Sequence, residues 1–333
     1  MAEITTEEVR KYLEMAQGRD VDLDKMRSDL QVDRGSRSWD GIRKIMFRLA
    51  EQKIVRPSGR RDGIYRVVKQ VQAVNVFGSN HNKEVFELMF PRDFATGMEM
   101  PLLEHIIVRS GDLILIAGVS NYGKTCIALN FAGENIDKHK CVLMGNEYAT
   151  PDGVPTPRFL NRLESMEWVE WADKNGDKFT LLPVQADFAE YVRRDKLNII
   201  DWINVETGEY YLINNILNDI KKGLGKGVAI VVIQKSETSE SGRGGQFTKD
   251  FADVELLIDK HTDFESRLTI GKVKECKKHI TGRTIAFQIH EGVKLTNVRE
   301  VKKCSTCFGK KWRKQGNSSI PCDVCQQVGF VDK

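Results

Sequence analysis

The central part of the chain alternates short apolar runs with longer segments of helical periodicity. The runs are Leu113 to Ala117, Cys141 to Met144, Leu197 to Ile200 and Val228 to Ile233. Short, nearly continuous apolar runs are typical of parallel strands that are buried on both faces. The segments TCIALNFA and INNILNDIKK between them predict helices. The sequence therefore predicts an α/β fold, with a parallel sheet and helices on both of its faces.

The first 68 residues show a different pattern, in which amphipathic helices precede two short β runs. TTEEVRKYLEMA has Thr5 or Thr6 as its N-cap and a glutamate at capping-box spacing. DLDKMRSDLQV predicts a shorter helix, and SRSWDGIRKIMFRLAEQ predicts a long one with an apolar side. KIVRPSGRRDGIYRVV then predicts a hairpin around a basic turn. This order predicts a winged helix, whose third helix enters the DNA major groove while its hairpin contacts the backbone.

Charge is distributed unevenly along the chain, although the net charge is only +4, from 51 Lys and Arg against 47 Asp and Glu. Between Arg34 and Arg66, ten basic residues stand against three acidic ones, which leaves a local charge of +7. The excess falls on the third helix and the hairpin, where a DNA-binding domain needs it, but small domains of this kind also serve as protein docking modules. We favour DNA binding, with the candidate contacts Arg37, Arg43, Lys44, Arg48, Arg60 and Arg61.

GVSNYGKT, residues 118–125, lies between the first apolar run and a predicted helix. It has the pattern G-x-x-x-x-G-K-[ST] in the strand, loop and helix context of a phosphate-binding P-loop. Its glycines allow backbone N–H groups and the helix N-terminus to point at phosphate oxygens. The lysine then reaches the β- and γ-phosphates, and the threonine hydroxyl holds Mg²⁺. The sequence predicts ATP and Mg²⁺ as ligands, with the candidate binding residues Gly118, Ser120, Asn121, Gly123, Lys124 and Thr125.

Polar residues follow three of the apolar runs. Glu147 comes three residues after the second run, Asp201 directly follows the third, and Gln234 directly follows the fourth. Because the carboxyl ends of parallel strands meet at one edge of a sheet, these side chains are expected on the ligand face. A carboxylate there could activate the water that attacks the γ-phosphate, and an aspartate could hold Mg²⁺.

Together these segments resemble the ATPase core of the RecA superfamily, and most closely the branch of the replicative helicase DnaB and its phage-borne relatives. The resemblance covers about residues 91–291 and is carried by GDLILIAGVSNYGKT, VLMGNEY, NIIDWINV, VAIVVIQKSE, RGGQFTKDFADVELLID and KVKECKKHITGRTIAFQI. It implies that Glu147 is the catalytic base, that Asp201 belongs to the magnesium site, and that Gln234 senses the γ-phosphate.

The resemblance also implies assembly into a hexameric ring or a helical filament, in which a basic finger reaches the nucleotide of a neighbouring subunit. Lys274, Lys277 and Lys278 lie near the family's finger positions, and we take Lys274 and Lys277 as candidates. No arginine occurs in that stretch before Arg283. A lysine lacks the fork geometry of arginine, so hydrolysis is expected to be slow or to depend on a partner.

SESGRGGQFT, residues 239–248, is polar, basic and rich in glycine. Members of the superfamily place DNA-contacting loops at this position, and ordinary surface connectors have the same composition. Arg243 is the candidate DNA contact of this loop.

The last cysteines of the chain form two C-x-x-C pairs, Cys304 with Cys307 and Cys322 with Cys325, separated by fourteen residues. Four thiolates at this spacing are typical of a closed, structural Zn²⁺ site, which we favour over free thiols. The basic residues around Trp312 suit a nucleic-acid contact, but zinc ribbons also bind proteins.

These patterns divide the chain into a winged helix at residues 1–68, a connector at 69–90, a RecA-like ATPase domain at 91–300 and a zinc ribbon at 301–333. The apolar runs are far shorter than the roughly 20 residues that span a bilayer. The charged N-terminus lacks the apolar segment of a secretory signal. We therefore expect a cytoplasmic, nucleoid-associated protein with no membrane partner.

The predicted function is DNA-dependent ATP hydrolysis in replication or recombination, by a helicase, translocase or recombinase-like enzyme of a cell, phage or mobile element. The expected partners are DNA, either single- or double-stranded, and replication or recombination proteins. The predicted winged helix stands where a complete replicative helicase has an N-terminal helical domain, which argues against classical fork unwinding. The alternative is an ATP-gated, oligomeric DNA-binding regulator or loader with little turnover. A small-molecule kinase is disfavoured because no acceptor pocket or lid is evident.

Overall fold

The computed structural model describes residues 4–69, 71, 84–204, 212–235, 250–315 and 318–333. The chain forms two compact units, residues 1–82 and 83–333. No helix of the described part is both long and apolar enough to span a membrane.

The first unit consists of helices packed against a small antiparallel sheet. Thr5 caps the first helix and forms the predicted capping box with Glu8. The sheet has the order β1-β3-β2. The elements are α1 (Thr6–Glu14), β1 (Asp20–Asp22), α2 (Leu23–Asp29), α3 (Arg37–Glu51), β2 (Val55–Pro57) and β3 (Ile64–Val67).

The core of this unit is formed mainly by the apolar side of α3. Ile42, Ile45, Met46 and Leu49 are buried there, which agrees with their helical spacing. Met15, the residue after α1, is 78% exposed and does not belong to this core.

The second unit is built on one large sheet, with two small hairpins inserted between its strands. Its helices are α4 (Lys124–Asn135), α5 (Pro157–Ser165), α6 (Phe188–Tyr191) and α7 (Leu212–Gly223), with a 3-10 turn at Leu103–His105. Its strands are β4 (Leu113–Gly118), β5 (Cys141–Met144), β6 (Ala172–Asp173), β7 (Gly176–Asp177), β8 (Phe179–Leu182), β9 (Leu197–Ile203), β10 (Val228–Gln234), β11 (Val254–Lys260), β12 (Ser266–Val273), β13 (Thr284–His290), β14 (Lys294–Lys303), β15 (Trp312–Gln315), β16 (Ser318–Pro321) and β17 (Phe330–Asp332).

The ten strands of the large sheet have the order β17-β14-β13-β12-β11-β4-β10-β9-β5-β8. The strands from β11 to β8 are parallel, which confirms the predicted α/β fold with a parallel sheet. The strands β12, β13, β14 and β17 are antiparallel, so the parallel sheet predicted from the apolar runs makes up only part of the large sheet. Burial alternates along β12, as it does in strands that pack on one face only.

Helices cover both faces of the parallel half, as predicted. Ile114 and Ile116 of β4 face one cluster, which includes the apolar side chains of α4 and α5. Leu113 and Leu115 face the other cluster, with α6 and α7. Because successive residues of a strand point to opposite faces, a strand covered on both sides must be apolar at every position.

The finer domain boundaries that we predicted within the second unit stay predictions. β14 runs across position 300, and β17 pairs with it through Val301 and Asp332. The cysteine-rich segment therefore begins and ends on strands of the large sheet.

Candidate functional site

The parallel strands bring the predicted site residues to one edge of the sheet. Gly118, at the end of β4, lies opposite Gln234 of β10 and Ile258 of β11. Met144, at the end of β5, lies opposite Ile200 of β9. The P-loop, Glu147, Asp201 and Gln234 therefore leave the sheet side by side.

Gly145 makes the close approach of β5 and β9 possible. Its φ is +137°, and a Cβ atom there would lie 1.8 Å from the carbonyl oxygen of Asp201. Any other residue would push the two strand ends apart. This glycine sets the distance between the segment that carries Glu147 and the aspartate.

The P-loop folds as its sequence predicts. Gly123 has φ +97° and is the N-cap of α4, which begins at Lys124. Lys124 Nζ donates a hydrogen bond to the carbonyl oxygen of Val119 at 2.9 Å, and the residue is 9% exposed. The ammonium group is thus held inside the loop, where a phosphate would lie.

A cavity of about 410 Å³ lies over this edge of the sheet. Its charged residues carry three cationic and two carboxylate groups. The P-loop, the ends of β5, β9 and β10, α5 and the turn after β13 all contribute to its wall. The lining residues are Ser120, Asn121, Gly123, Lys124, Thr125, Cys126, Glu147, Arg158, Arg162, Asp201, Trp202, Gln234, Ile289 and Gly292.

Asp201 is the most deeply buried acid of this cavity, at 1% exposure. Neither of its carboxylate oxygens makes a hydrogen bond of good geometry within the described residues. Burial, together with the charge of Glu147, raises the pKa of Asp201 to about 6, although the hydroxyls of Thr125 and Tyr148 and the charge of Lys124 act in the opposite direction. A buried, unpartnered carboxylate beside a threonine hydroxyl fits the oxygen ligands that Mg²⁺ prefers.

The segment after β5 holds Glu147 at the mouth of the cavity. Its side chain is 31% exposed, and Oε2 lies 3.7 Å from Nη1 of Arg162. The hydroxyl of Thr156 donates to the carbonyl oxygen of Glu147 at 3.0 Å. Tyr148, the next residue, is fully buried, and burial together with the charge of Asp201 raises its pKa well above the ordinary value. The backbone of Glu147 is thus held in place, and its carboxylate is open both to the cavity and to solvent.

Sequence reasoning missed the arginines of α5 and the turn after β13. Arg158 and Arg162 line the cavity from the helix that follows the Glu147 segment. Ile289 and Gly292 reach it from the hairpin between β13 and β14. The spacing of the two arginines shows that they share one side of a helix, but not that this side faces the P-loop.

The predicted finger lysines lie at the other edge of the sheet from the P-loop of their own chain. Val273, just before them, pairs with Val254 at the start of β11, whereas Ile258 near its end pairs with Gly118. Lys274 forms an ion pair with Asp253 at 2.6 Å. Lys277 donates to the carbonyl oxygen of Glu104 at 3.3 Å. Their role towards a neighbouring subunit stays a prediction, and Arg243 lies outside the described residues.

The four C-terminal cysteines form a compact cluster, in which all sulfur atoms lie within 4.8 Å of one another. The Sγ atoms of Cys304 and Cys322 are 3.9 Å apart, and those of Cys307 and Cys325 are 3.6 Å apart. All four residues are at least 95% buried. Backbone N–H groups of Cys307 and Thr306 lower the pKa of Cys304 to about 7. Four buried thiols at this separation fit tetrahedral Zn²⁺.

In the first unit, the basic residues of α3 form an exposed face. Arg37, Arg43, Lys44 and Arg48 are exposed, and Phe47 between them is 64% exposed. Among the described residues, no carboxylate pairs with Arg43, Lys44 or Arg48. Arg60 and Arg61 of the β2–β3 turn instead pair with Asp20 and Asp22. The positive charge of this unit is therefore concentrated on α3 more than on the hairpin.

No protein-family model and no curated protein sequence matches the chain. Among solved structures, it is similar to a crystal structure described as a KaiC-like protein, PH0186, from the hyperthermophilic archaeon Pyrococcus horikoshii OT3. The two are 17% identical with a TM-score of 0.44, and the match covers 65% of this chain and 98% of that one. A similarity at this level identifies neither a family nor a function.

Proposed function

We propose that the chain is a DNA-dependent ATPase that acts in DNA replication or recombination. The observation that carries this proposal is the convergence of the P-loop lysine, Glu147, Asp201 and Gln234 on one cavity of about 410 Å³. A nucleoside triphosphate in that cavity would have its phosphates at the N-terminus of α4 and its γ-phosphate beside a carboxylate.

In the proposed reaction, a water oxygen attacks the γ-phosphorus while the Glu147 carboxylate takes a proton from that water. The bond from the γ-phosphorus to the bridging oxygen breaks, its electron pair stays on that oxygen, and ADP and inorganic phosphate are released. Thr125 and Asp201 would hold Mg²⁺, which when bound neutralises phosphate charge. Lys124 orients the phosphates, and Gln234 is placed to contact the γ-phosphate.

The role of DNA in this proposal comes from the first unit. Arg43, Lys44 and Arg48 project from a helix that is anchored on its other side by a buried core. Cations held on a rigid helix are suited to phosphate contacts, which supply most of the sequence-independent affinity for DNA. The resemblance to DnaB-type cores supports assembly as a ring or filament, and a role in a cell, a phage or a mobile element.

The alternative function is an ATP-gated DNA-binding regulator or loader with little turnover. It is favoured by the finger lysines, because Lys274 pairs with Asp253 and Lys277 donates to a backbone carbonyl of its own chain. A lysine engaged in this way is less available to a neighbouring active site.

Steady-state ATP hydrolysis, measured with and without single- and double-stranded DNA, separates the two functions. We expect stimulation by DNA, and we expect Lys124→Ala to reduce turnover at least about 10²-fold, because the cation that holds the phosphates is lost. Lys138→Ala, an exposed lysine beyond the end of α4, is the matched control. Tight ATP binding with negligible turnover on any DNA would contradict the enzyme and support the regulator.

DNA binding is tested separately by fluorescence anisotropy with labelled single- and double-stranded oligonucleotides. We expect the double variant Arg43→Ala/Arg48→Ala to weaken binding by roughly tenfold or more and to reduce the slope of log affinity against log salt by about one for each lost phosphate contact. Lys11→Ala, an exposed lysine on α1, should leave both quantities unchanged. An unchanged salt slope in the double variant would mean that α3 is not the DNA-binding face.

A further inference from the structure

Helix α5 brings two arginines of the same chain to the wall of the cavity over the P-loop. Phe159 and Leu163 of this helix are buried in the main core, which fixes its position. Arg158 and Arg162, four residues apart, lie on another side and line the cavity. The guanidinium groups are thus presented by an element that is anchored to the sheet, and not by a mobile loop.

The start of α5 is also tied directly to the segment of the proposed base. Thr156 is the N-cap, and its hydroxyl accepts a hydrogen bond from the N–H of Phe159 at 3.2 Å. The same hydroxyl donates to the carbonyl oxygen of Glu147 at 3.0 Å, and the N–H of Thr156 donates to the carbonyl of Tyr148 at 2.9 Å. These bonds set the distance between the Glu147 carboxylate and the arginine one turn into the helix.

Arg162 is not fully satisfied where it lies. Its side chain is 21% exposed, and Nη1 is buried without a hydrogen-bond partner within the described residues. That nitrogen is 3.7 Å from Oε2 of Glu147, which is an ion pair at longer than hydrogen-bonding distance. A guanidinium group has five N–H donors in a fixed fork, and it binds phosphate in a bidentate manner. The group is therefore poised for a stronger anionic partner in the same cavity.

We propose that Arg162 exchanges Glu147 for the γ-phosphate when a triphosphate binds, and that it supplies in its own chain the cation expected from a neighbouring subunit. This inference rests on the proposed ATPase function. Without nucleotide, the ion pair holds the carboxylate of Glu147. With a triphosphate bound, Arg162 turns to the γ-phosphoryl oxygens and leaves Glu147 free to take the proton of the attacking water. Arg162 then neutralises charge on the γ-phosphoryl group as its bond to ADP breaks.

This exchange accounts for a site whose predicted finger segment has lysines and no arginine before Arg283. It makes the affinity for a triphosphate depend on Arg162 more than the affinity for a diphosphate, because ADP has no γ-phosphate to replace Glu147. It also makes turnover per subunit independent of protein concentration, since the charge does not come from another copy of the chain.

The test compares Arg162→Ala, Arg162→Lys and the control Asn161→Ala in the full-length protein. Asn161 is an exposed neighbour on α5 that does not line the cavity. Binding of ATPγS and of ADP is measured by calorimetry, and kcat by phosphate release over a dilution series. We expect Arg162→Ala to lower kcat about 10²-fold and to weaken ATPγS binding roughly tenfold more than ADP binding. Arg162→Lys keeps a point charge, so its kcat and its ratio of ATPγS to ADP affinity should lie between those of Arg162→Ala and the original chain. Asn161→Ala should match the original chain in both quantities.

An unchanged kcat and an unchanged ratio of ATPγS to ADP affinity in Arg162→Ala would overturn the proposal. If Arg162→Ala does not fold, the ratio of ATPγS to ADP affinity in Arg162→Lys tests the proposal, and an unchanged ratio there would overturn it. A kcat that falls on dilution while Arg162→Ala leaves it unaltered would assign the cation to a second subunit. Failure of the proposed ATPase function gives a different result, in which the original chain itself shows no measurable kcat, whether or not it binds nucleotide.

Discussion

Glu147→Gln is expected to reduce kcat for ATP hydrolysis by about 10³-fold, because a positioned general base contributes roughly 10² to 10⁴ to such reactions. Glutamine keeps the size of the side chain but cannot accept the proton of the attacking water. Steady-state phosphate release, with nucleotide affinity measured by calorimetry on the same samples, checks the expectation.

The affinity for ATP should not fall in this variant. Glutamine removes a negative charge beside the γ-phosphate and also releases the guanidinium of Arg162 from its ion pair. The backbone of the segment should stay in place, because Thr156 binds the carbonyl oxygen of residue 147 and not its side chain. The loss is therefore expected in kcat alone, as for an interaction made only in the transition state.

Glu164→Gln is the matched control, since Glu164 is an exposed carboxylate near the end of α5. If Glu147→Gln retains more than a tenth of the original kcat, another group must take the proton, and the proposed role of Glu147 is wrong. Equal losses in the two variants would point to the stability of α5 instead of the chemistry.

The parts of the site that the sequence predicted are those set by local pattern. Apolar runs identified β4, β5, β9 and β10, because a strand that is buried on both faces needs an apolar residue at nearly every position. Parallel strands end at the same edge of a sheet, so Glu147, Asp201 and Gln234 could be placed there without knowing a single contact.

The parts that escaped prediction depend on long-range packing. Arg162 enters the cavity because Thr156 binds the backbone of Glu147, and no spacing in the sequence encodes that bond. Ile289 and Gly292 come from a hairpin more than 160 positions beyond the P-loop. The antiparallel half does carry a local signal, because apolar and polar positions alternate along part of β12, as in a strand that packs on one face. The prediction of a parallel sheet was based on the apolar runs that precede it.

The cysteine-rich segment between β14 and β17 has one feature that the local sequence predicts and one that depends on long-range packing. Cysteine spacing alone predicted that Cys304, Cys307, Cys322 and Cys325 would meet, and they do. It gave no indication that β17, after the second pair, would return to the large sheet and pair with β14. Strand pairing of this kind is decided by which sheet edge is free, and that is a property of the folded unit.

Zinc removal is accordingly expected to have the largest effect on stability in this chain. Structural Zn²⁺ contributes about 10–16 kcal/mol of apparent binding free energy in small zinc domains, and that energy is folding energy. Without the metal, four thiols would be buried against each other with few other apolar contacts, since Val331 is the main additional member of their cluster.

We expect the purified protein to contain one zinc per chain and Cys322→Ser to contain almost none. Metal content is measured by plasma mass spectrometry, and the unfolding midpoint by calorimetry. The variant should lose the order of the segment between β14 and β17, and with it the pairing of Val301 with Asp332, so amide exchange at the end of β14 should rise. Cys276→Ser, a half-buried cysteine outside the cluster, is the control. Cys322→Ser with full zinc content, or with an unchanged unfolding midpoint and unchanged exchange, would show that the four cysteines are not a structural metal site.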